Sequence, residues 1–177
     1  MVSTGQKAPD FVASAVQDGA GRPVEFFAEV RAHEAVVLVF EPAAFVPTCT
    51  AELCAIRDAG WTDVEGLAVF VVTGDSLFSN AAYADRYDLP FPLVSDFHGG
   101  IAHSYDLLLE EWEGHSDIPG RATVVVDGDW TVRTISSADP LAEADPSPVE
   151  TATETLADLG LDVSRPRVQY EAFVGDP

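Results

Sequence analysis

The chain has 177 residues, 47% of them apolar, which suits one domain with a full core and is too apolar for a disordered chain. Thirty acidic residues against nine basic ones give a formal net charge of −21, so nucleic acid and anionic membranes would repel it and are not expected partners. No apolar run approaches the roughly 20 residues that cross a bilayer, and residues 1–10 hold no apolar stretch of signal type, so the expected location is cytoplasmic.

The acids run from Asp10 to Asp176 in short clusters such as Glu110–Glu111–Glu113, which reads as a solvated acidic surface and not an acidic tail. Self-repulsion on this scale is costly in dilute salt and screened in concentrated salt. The charge therefore reads as a halophilic signature, with a merely acidic protein as the alternative.

Taken in chain order, Phe11 to Val16 forms a short strand that runs into a turn at Asp18-Gly19-Ala20-Gly21. Val36 to Phe40 is a continuous apolar, largely β-branched run before Glu41-Pro42, the pattern of a strand buried on both faces. Ala51 to Ala59 permits a helix, and Gly60 stops it. Leu67 to Val72 is again strand-like and breaks at Gly74-Asp75-Ser76. Ser76 or Ser79 is placed to cap a helix running through Tyr87. Pro90 and Pro92 bracket a short extended piece ending near Val94, and Gly100 to Leu107 forms a short helix.

Thr123 to Val126 and Thr131 to Ile135 make a hairpin across Asp127-Gly128-Asp129. Val149 to Leu159 forms a last helix, stopped by Gly160. The tail, 161–177, carries no clear signal. This order predicts a single α/β domain over 1–177, with a mixed sheet flanked by helices.

The two cysteines, Cys49 and Cys54, sit five apart in a chain expected to be cytoplasmic, where paired thiols are more often reactive than structural. Cys49 follows the end of a buried strand and opens a helix. Reactive groups of open α/β sheets gather at that end. Unpaired N–H groups and the helix dipole there favour a thiolate, so the spacing predicts a thiol with a lowered pKa.

The run Phe40-Glu41-Pro42-Ala43-Ala44-Phe45-Val46-Pro47-Thr48-Cys49-Thr50-Ala51-Glu52-Leu53-Cys54 resembles the active-site segment of peroxiredoxins. Their pattern is a proline, three residues, a threonine or serine, two residues, then the peroxidatic cysteine. Pro42 and Cys49 fall in register. Pro119-Gly120-Arg121 before Ala122–Asp127 resembles the segment that carries the family's distal arginine. Residues 5–11, 75–80 and 89–96 also match, so the resemblance spans roughly residues 5 to 160. Among subgroups it is most similar to the Q-type (bacterioferritin-comigratory) and one-cysteine, alkyl hydroperoxidase E-like members.

The resemblance implies a thioredoxin-like fold and reduction of hydrogen peroxide or organic hydroperoxides, with no metal and no organic cofactor. Cys49 would attack the peroxide and become a sulfenic acid. Arg121 would stabilise the thiolate and the charge on the leaving oxygen, and Pro42 would shape the pocket. Backbone N–H groups near Thr48 and Cys49 would donate to the peroxide. The expected reductant is thioredoxin-like or another thiol, and a homodimer is among the assemblies the family forms.

Glu52 lies three residues after Cys49 and shares its helix face. It is either the partner that orients an arginine or a solvated first-turn acid. Cys54 resembles the resolving cysteine of the Q-type proteins. Five residues along a helix separate Cα atoms by about 8.6 Å, beyond the ~7 Å limit for a disulfide, so the first turn must unwind before the two can join.

Val46 departs from the pattern because it lacks the usual hydroxyl. Thr48 is the nearest hydroxyl and serves either as its substitute or as a helix cap. His33, His98, His103 and His115 show no metal-ligand spacing with the cysteines, and Trp61, Trp112 and Trp130 read as packing residues. Two rivals remain. One is a thiol-disulfide oxidoreductase, which four residues between the cysteines disfavour. The other is a catalytically impaired binding or sensing module, which Val46 favours.

Overall fold

The computed structural model describes residues 2–173. Nine strands and five α-helices follow in the order β1 (Val12–Gln17), β2 (Ala20–Glu25), α1 (Phe26–Ala32), β3 (Ala35–Glu41), α2 (Pro47–Asp58), β4 (Leu67–Thr73), α3 (Leu77–Tyr87), β5 (Leu93–Ser95), α4 (Gly100–Ser104), β6 (Leu108–Trp112), β7 (His115–Pro119), β8 (Arg121–Asp127), β9 (Val132–Ala138) and α5 (Pro148–Asp158). Short 3-10 turns stand at Trp61–Asp63 and Tyr170–Ala172.

Seven strands form one mixed sheet in the order β2-β1-β5-β4-β3-β8-β9, and β6 and β7 form a separate hairpin. The β3-α2-β4 unit is parallel as expected, with Ala35 to Glu41 in register with Leu67 to Thr73. The β8–β9 hairpin is antiparallel, and its turn is tied by the Asp127 carboxylate, which accepts the Asp129 and Thr131 N–H groups at 3.0 Å. No helix among the described residues is long and apolar enough to cross a membrane.

Alternation along β3 divides the core. Val37 and Val39 face one side, with Leu53 and Ile56 of α2, Tyr83 of α3 and Val149, Ala152 and Leu156 of α5. Val36, Leu38 and Phe40 face the other, with Phe26 and Val30 of α1 and Ile101 and Ala102 of α4. Every residue of β3 is buried, as its unbroken apolar run requires.

Helix α2 begins four residues before the expected start, because Pro47 is pre-set for a first helical position. Ser76, of the two candidates, caps α3 by accepting the Ser79 N–H at 3.3 Å. Strand β2, helix α1 and the β6–β7 hairpin were not evident from sequence. Pro23 lies within β2, α1 has only seven residues, and β6–β7 is half charged or polar.

Candidate active site

Strand β3 ends at Glu41, where buried Pro42 turns the chain off the sheet. The Pro42 carbonyl accepts the Gly74 N–H at 3.2 Å. A Cβ on Gly74 would collide with that carbonyl, so glycine is required for the β3 and β4 ends to approach this closely. The Asp75 carboxylate accepts the Ala44 N–H at 2.8 Å. Phe45 then takes a left-handed φ of 67°, and its ring packs on Tyr83 at 4.9 Å between centroids.

Val46 is the N-cap of α2 and supplies no capping side chain. The first intrahelical bond runs from Thr50 N–H to Val46 O at 2.8 Å. The Thr48 and Cys49 amides precede it and take no acceptor among the described residues. They remain available to an anion or a peroxide oxygen.

Cys49 is the third residue of α2 and only 2% exposed. The expected lowering of its pKa is reversed. Burial pushes the thiol well above its usual value, and Glu41 and Glu52 push it further. Arg121 and the Thr48 hydroxyl offset part of the rise. Excluding water disfavours a thiolate, and here it is the largest influence on the thiol.

Arg121 opens β8, is 1% exposed and meets Glu52 in a two-pronged ion pair: Nη2 donates to Oε1 at 2.7 Å and Nε to Oε2 at 3.2 Å. The solvated alternative for Glu52 is therefore wrong, since its carboxylate is 2% exposed and paired. Nη1 donates to the carbonyls of Asp139 at 2.9 Å and Ala142 at 2.6 Å, and Nη2 donates to the Tyr170 hydroxyl at 2.7 Å. All five guanidinium N–H groups are thus engaged. Burial is the largest influence and disfavours the charge, but the bond to Glu52 and the charges of Glu52, Cys49 and Tyr170 together outweigh it, so the Arg121 pKa is raised. Burial raises the pKa of Glu52, and Arg121 opposes that rise.

Thr48 does not cap the helix, which corrects one of its two expected roles. It lies inside the first turn, and its hydroxyl donates to the Pro140 carbonyl. That hydroxyl has one proton, for which the Pro140 carbonyl and the Cys49 sulfur compete.

Cys54 sits on the same helix, 7% exposed, and both thiols are free. Burial raises its pKa, while Arg57 lowers it and Asp58 raises it. A groove of about 450 Å³ reaches it, lined also by Arg57, Arg165, Arg167 and Phe173.

Sequence reasoning missed three residues here. Tyr170 lies in the tail that carried no periodic signal. Tyr83 reads as an ordinary helical aromatic, yet its hydroxyl lies 2.8 Å from Thr50 Oγ1. Glu41 did carry a signal, because it is an acid closing a wholly apolar strand.

The four histidines take no part in these contacts. Trp61 and Trp130 donate to the Ser164 and Ala8 carbonyls, as packing residues do. Among the described residues no three His, Cys, Asp or Glu side chains gather at metal-binding distance.

Residues 4–135 match the model of the AhpC/TSA family. A chloroplastic peroxiredoxin Q of Arabidopsis thaliana is 34% identical over 139 residues, covering 76% of this chain and 59% of that protein. One from Sedum lineare is also 34% identical, covering 76% of this chain and 68% of its own length. The crystal structure of peroxidoxin BcpB from Mycobacterium tuberculosis superposes with a TM-score of 0.70 at 28% identity, covering 90% of this chain and 97% of that one. A reduced 2-Cys peroxiredoxin from Plasmodium vivax superposes with a TM-score of 0.73 at 20% identity, covering 90% and 95%. The mixed sheet, its flanking helices and these neighbours make the fold thioredoxin-like. With most of its length matched to the family model and its sheet matched to solved members, the chain belongs to the AhpC/TSA family.

Proposed function

We propose that the protein is a thiol-dependent peroxidase that reduces hydrogen peroxide or organic hydroperoxides through Cys49. The observation that carries this reading is the buried Arg121–Glu52 pair beside Cys49, at the head of a helix whose first amides are unbonded. The thiolate attacks one peroxide oxygen, becomes a sulfenic acid and releases water or an alcohol. Arg121 supplies positive charge to the thiolate and to the leaving oxygen, and Glu52 holds the guanidinium in place. Pro42 closes the pocket floor. The Thr48 and Cys49 amides bind the peroxide.

Cys54 is the proposed resolving thiol, reached from the arginine-lined groove, with a thioredoxin-like or other thiol as reductant. Its condensation with the sulfenic acid requires α2 to unwind at its first turns. The proposed compartment is the cytoplasm, consistent with two free cysteines.

Stopped-flow mixing of the reduced protein with hydrogen peroxide, followed by mass spectrometry, tests the reading. The expected result is consumption of one equivalent and a sulfenic acid on Cys49. A protein inert to hydrogen peroxide and to organic hydroperoxides would overturn it.

A further inference from the structure

Glu41 has no role in the mechanism above, yet its position is unusual. It is 0% exposed, and neither carboxylate oxygen has a hydrogen-bond partner among the described residues. Alternation along β3 puts its side chain on the same face as Val37 and Val39, the face covered by α2 and α3. On one side it is paired in register with Thr73 of β4. On the other, one step beyond the Phe40–Ala122 pair, it comes level with Arg121 of β8. An orphaned buried carboxyl is costly unless it remains neutral.

The Thr48 and Cys49 amides are open to a peroxide, but the side chains that would serve it are missing or engaged. Val46 has no hydroxyl, Thr48 donates to Pro140, and Arg121 spends all five N–H groups on Glu52, two carbonyls and Tyr170. Glu41 is left as a buried carboxyl close enough to act on the thiol, with neither oxygen in a hydrogen bond of good geometry and only the Tyr83 hydroxyl beside it.

Resting on the peroxidase reading, we propose that Glu41 exchanges protons with Cys49, taking the thiol proton and returning one to the leaving peroxide oxygen. With one proton shared between them, the reactive form is a Cys49 thiolate beside a neutral Glu41 carboxylic acid. The thiolate attacks the hydroxyl oxygen of HO–OR, forming the S–O bond of the sulfenic acid. The O–O bond breaks, its electron pair passes to the leaving oxygen, and Glu41 protonates that oxygen to ROH. Sulfur is oxidised by two electrons, the peroxide is reduced by two, and Glu41 is left as a carboxylate. When a thiol reductant regenerates the Cys49 thiol, Glu41 takes its proton and the cycle closes.

The surroundings couple the two groups and hold the Glu41 carboxyl toward its neutral form. Burial, then Glu52 of α2 and Asp75 after β4, hold the Glu41 carboxyl well above its usual range, while the Tyr83 hydroxyl of α3 opposes them. Charge on Glu41 in turn raises the Cys49 thiol, so the two titrate as a pair.

The test is the second-order rate of the reduced protein with hydrogen peroxide across pH. The wild type gives a bell, rising as the pair loses its first proton and falling as it loses the second. Glu41→Gln cannot transfer a proton. It keeps the rise, loses the fall and drops the maximum by about 100-fold, the low end for a general acid. Glu41→Asp restores the falling limb.

A folded Glu41→Gln that keeps the bell and the wild-type rate overturns the inference and spares the peroxidase reading. If the variant does not fold, the wild type alone decides across hydroperoxides whose leaving alcohols differ in basicity. A donated proton makes the rates nearly flat. A dependence as steep as that of a free thiolate in water overturns the inference. A wild type that forms no sulfenic acid removes the peroxidase reading, and this inference with it.

Discussion

Cys49 and Cys54 stand on one helix, five residues apart, in opposite surroundings. Cys49 lies under the head of α2 among Glu41, Glu52 and Arg121, where each polar contact is fixed by a named partner or left conspicuously without one. Cys54 opens onto a groove where Arg57, Arg165 and Arg167 gather, three of the nine basic residues of a chain with net charge −21. The first thiol is governed by buried charges that solvent does not screen. The second is also raised first by burial, but the charges that act on it, Arg57 and Asp58, are partly or largely exposed and screened by solvent. On the proposed function, one helix would separate a site for a small neutral oxidant from a face open to a larger reductant.

The largest effect comes from removing each thiol in turn. Cys49→Ser abolishes peroxide reduction. Cys54→Ser still forms a sulfenic acid on Cys49 but does not turn over with thioredoxin. Mass spectrometry after one equivalent of peroxide reads both outcomes, and a sulfenic acid on Cys54 with Cys49 untouched breaks the comparison.

Stability separates the two ends next. Arg121→Met leaves the Glu52 carboxylate buried and unpaired, a loss of about 3–5 kcal/mol. Arg57→Met removes a pair with the exposed Asp58 and costs under about 1 kcal/mol. Urea denaturation measures the two losses, and equal values would deny that burial distinguishes them.

A gain of rate is expected at Val46. Threonine there adds a hydroxyl at the N-cap of α2, and a hydrogen bond to a charged group contributes roughly 1.5–3 kcal/mol. Val46→Thr then speeds the peroxide step by about 10- to 150-fold. Thr48→Val slows it if the Thr48 hydroxyl leaves Pro140 for the thiolate. Stopped-flow rates check both, and a folded Val46→Thr no faster than wild type excludes the missing hydroxyl as the limit.

The mildest test is salt. Charges interacting over about 30 Å at 0.01 M salt and about 3 Å at 1 M repel far less at the higher concentration. Thermal melting therefore rises along a KCl series, while the loss caused by Arg121→Met stays nearly constant because that pair is buried. A flat series removes the halophilic reading and leaves the site untouched.

Strands and helices with a strong local pattern were legible from the sequence. The apolar run of β3, the Asp-Gly hairpin of β8–β9 and the glycine that ends α5 each carry their own signal. Elements shaped by distant partners were not. Strand β2 holds its place by pairing with β1, although Pro23 lies within it. In the site, Cys49, Arg121 and Glu52 were legible through a motif, but the state of the thiol was not. A helix terminus is visible in a sequence, whereas the exclusion of water that raises the Cys49 pKa is a property of the whole fold. Tyr170 was illegible for the same reason, since it lies 49 residues from the arginine it bonds.

The segment from Asp139 to Ala142 holds both halves of the site at once. Its Pro140 carbonyl takes the Thr48 hydroxyl, and its Asp139 and Ala142 carbonyls take Arg121. The unwinding that the proposed resolution by Cys54 requires would break the Thr48 tether on this segment. It ties the helix that carries the sulfur to the strand that carries the charge. If that proposed unwinding accompanies oxidation of Cys49, protease sensitivity between Asp139 and Ala142 would differ between the reduced and oxidised protein.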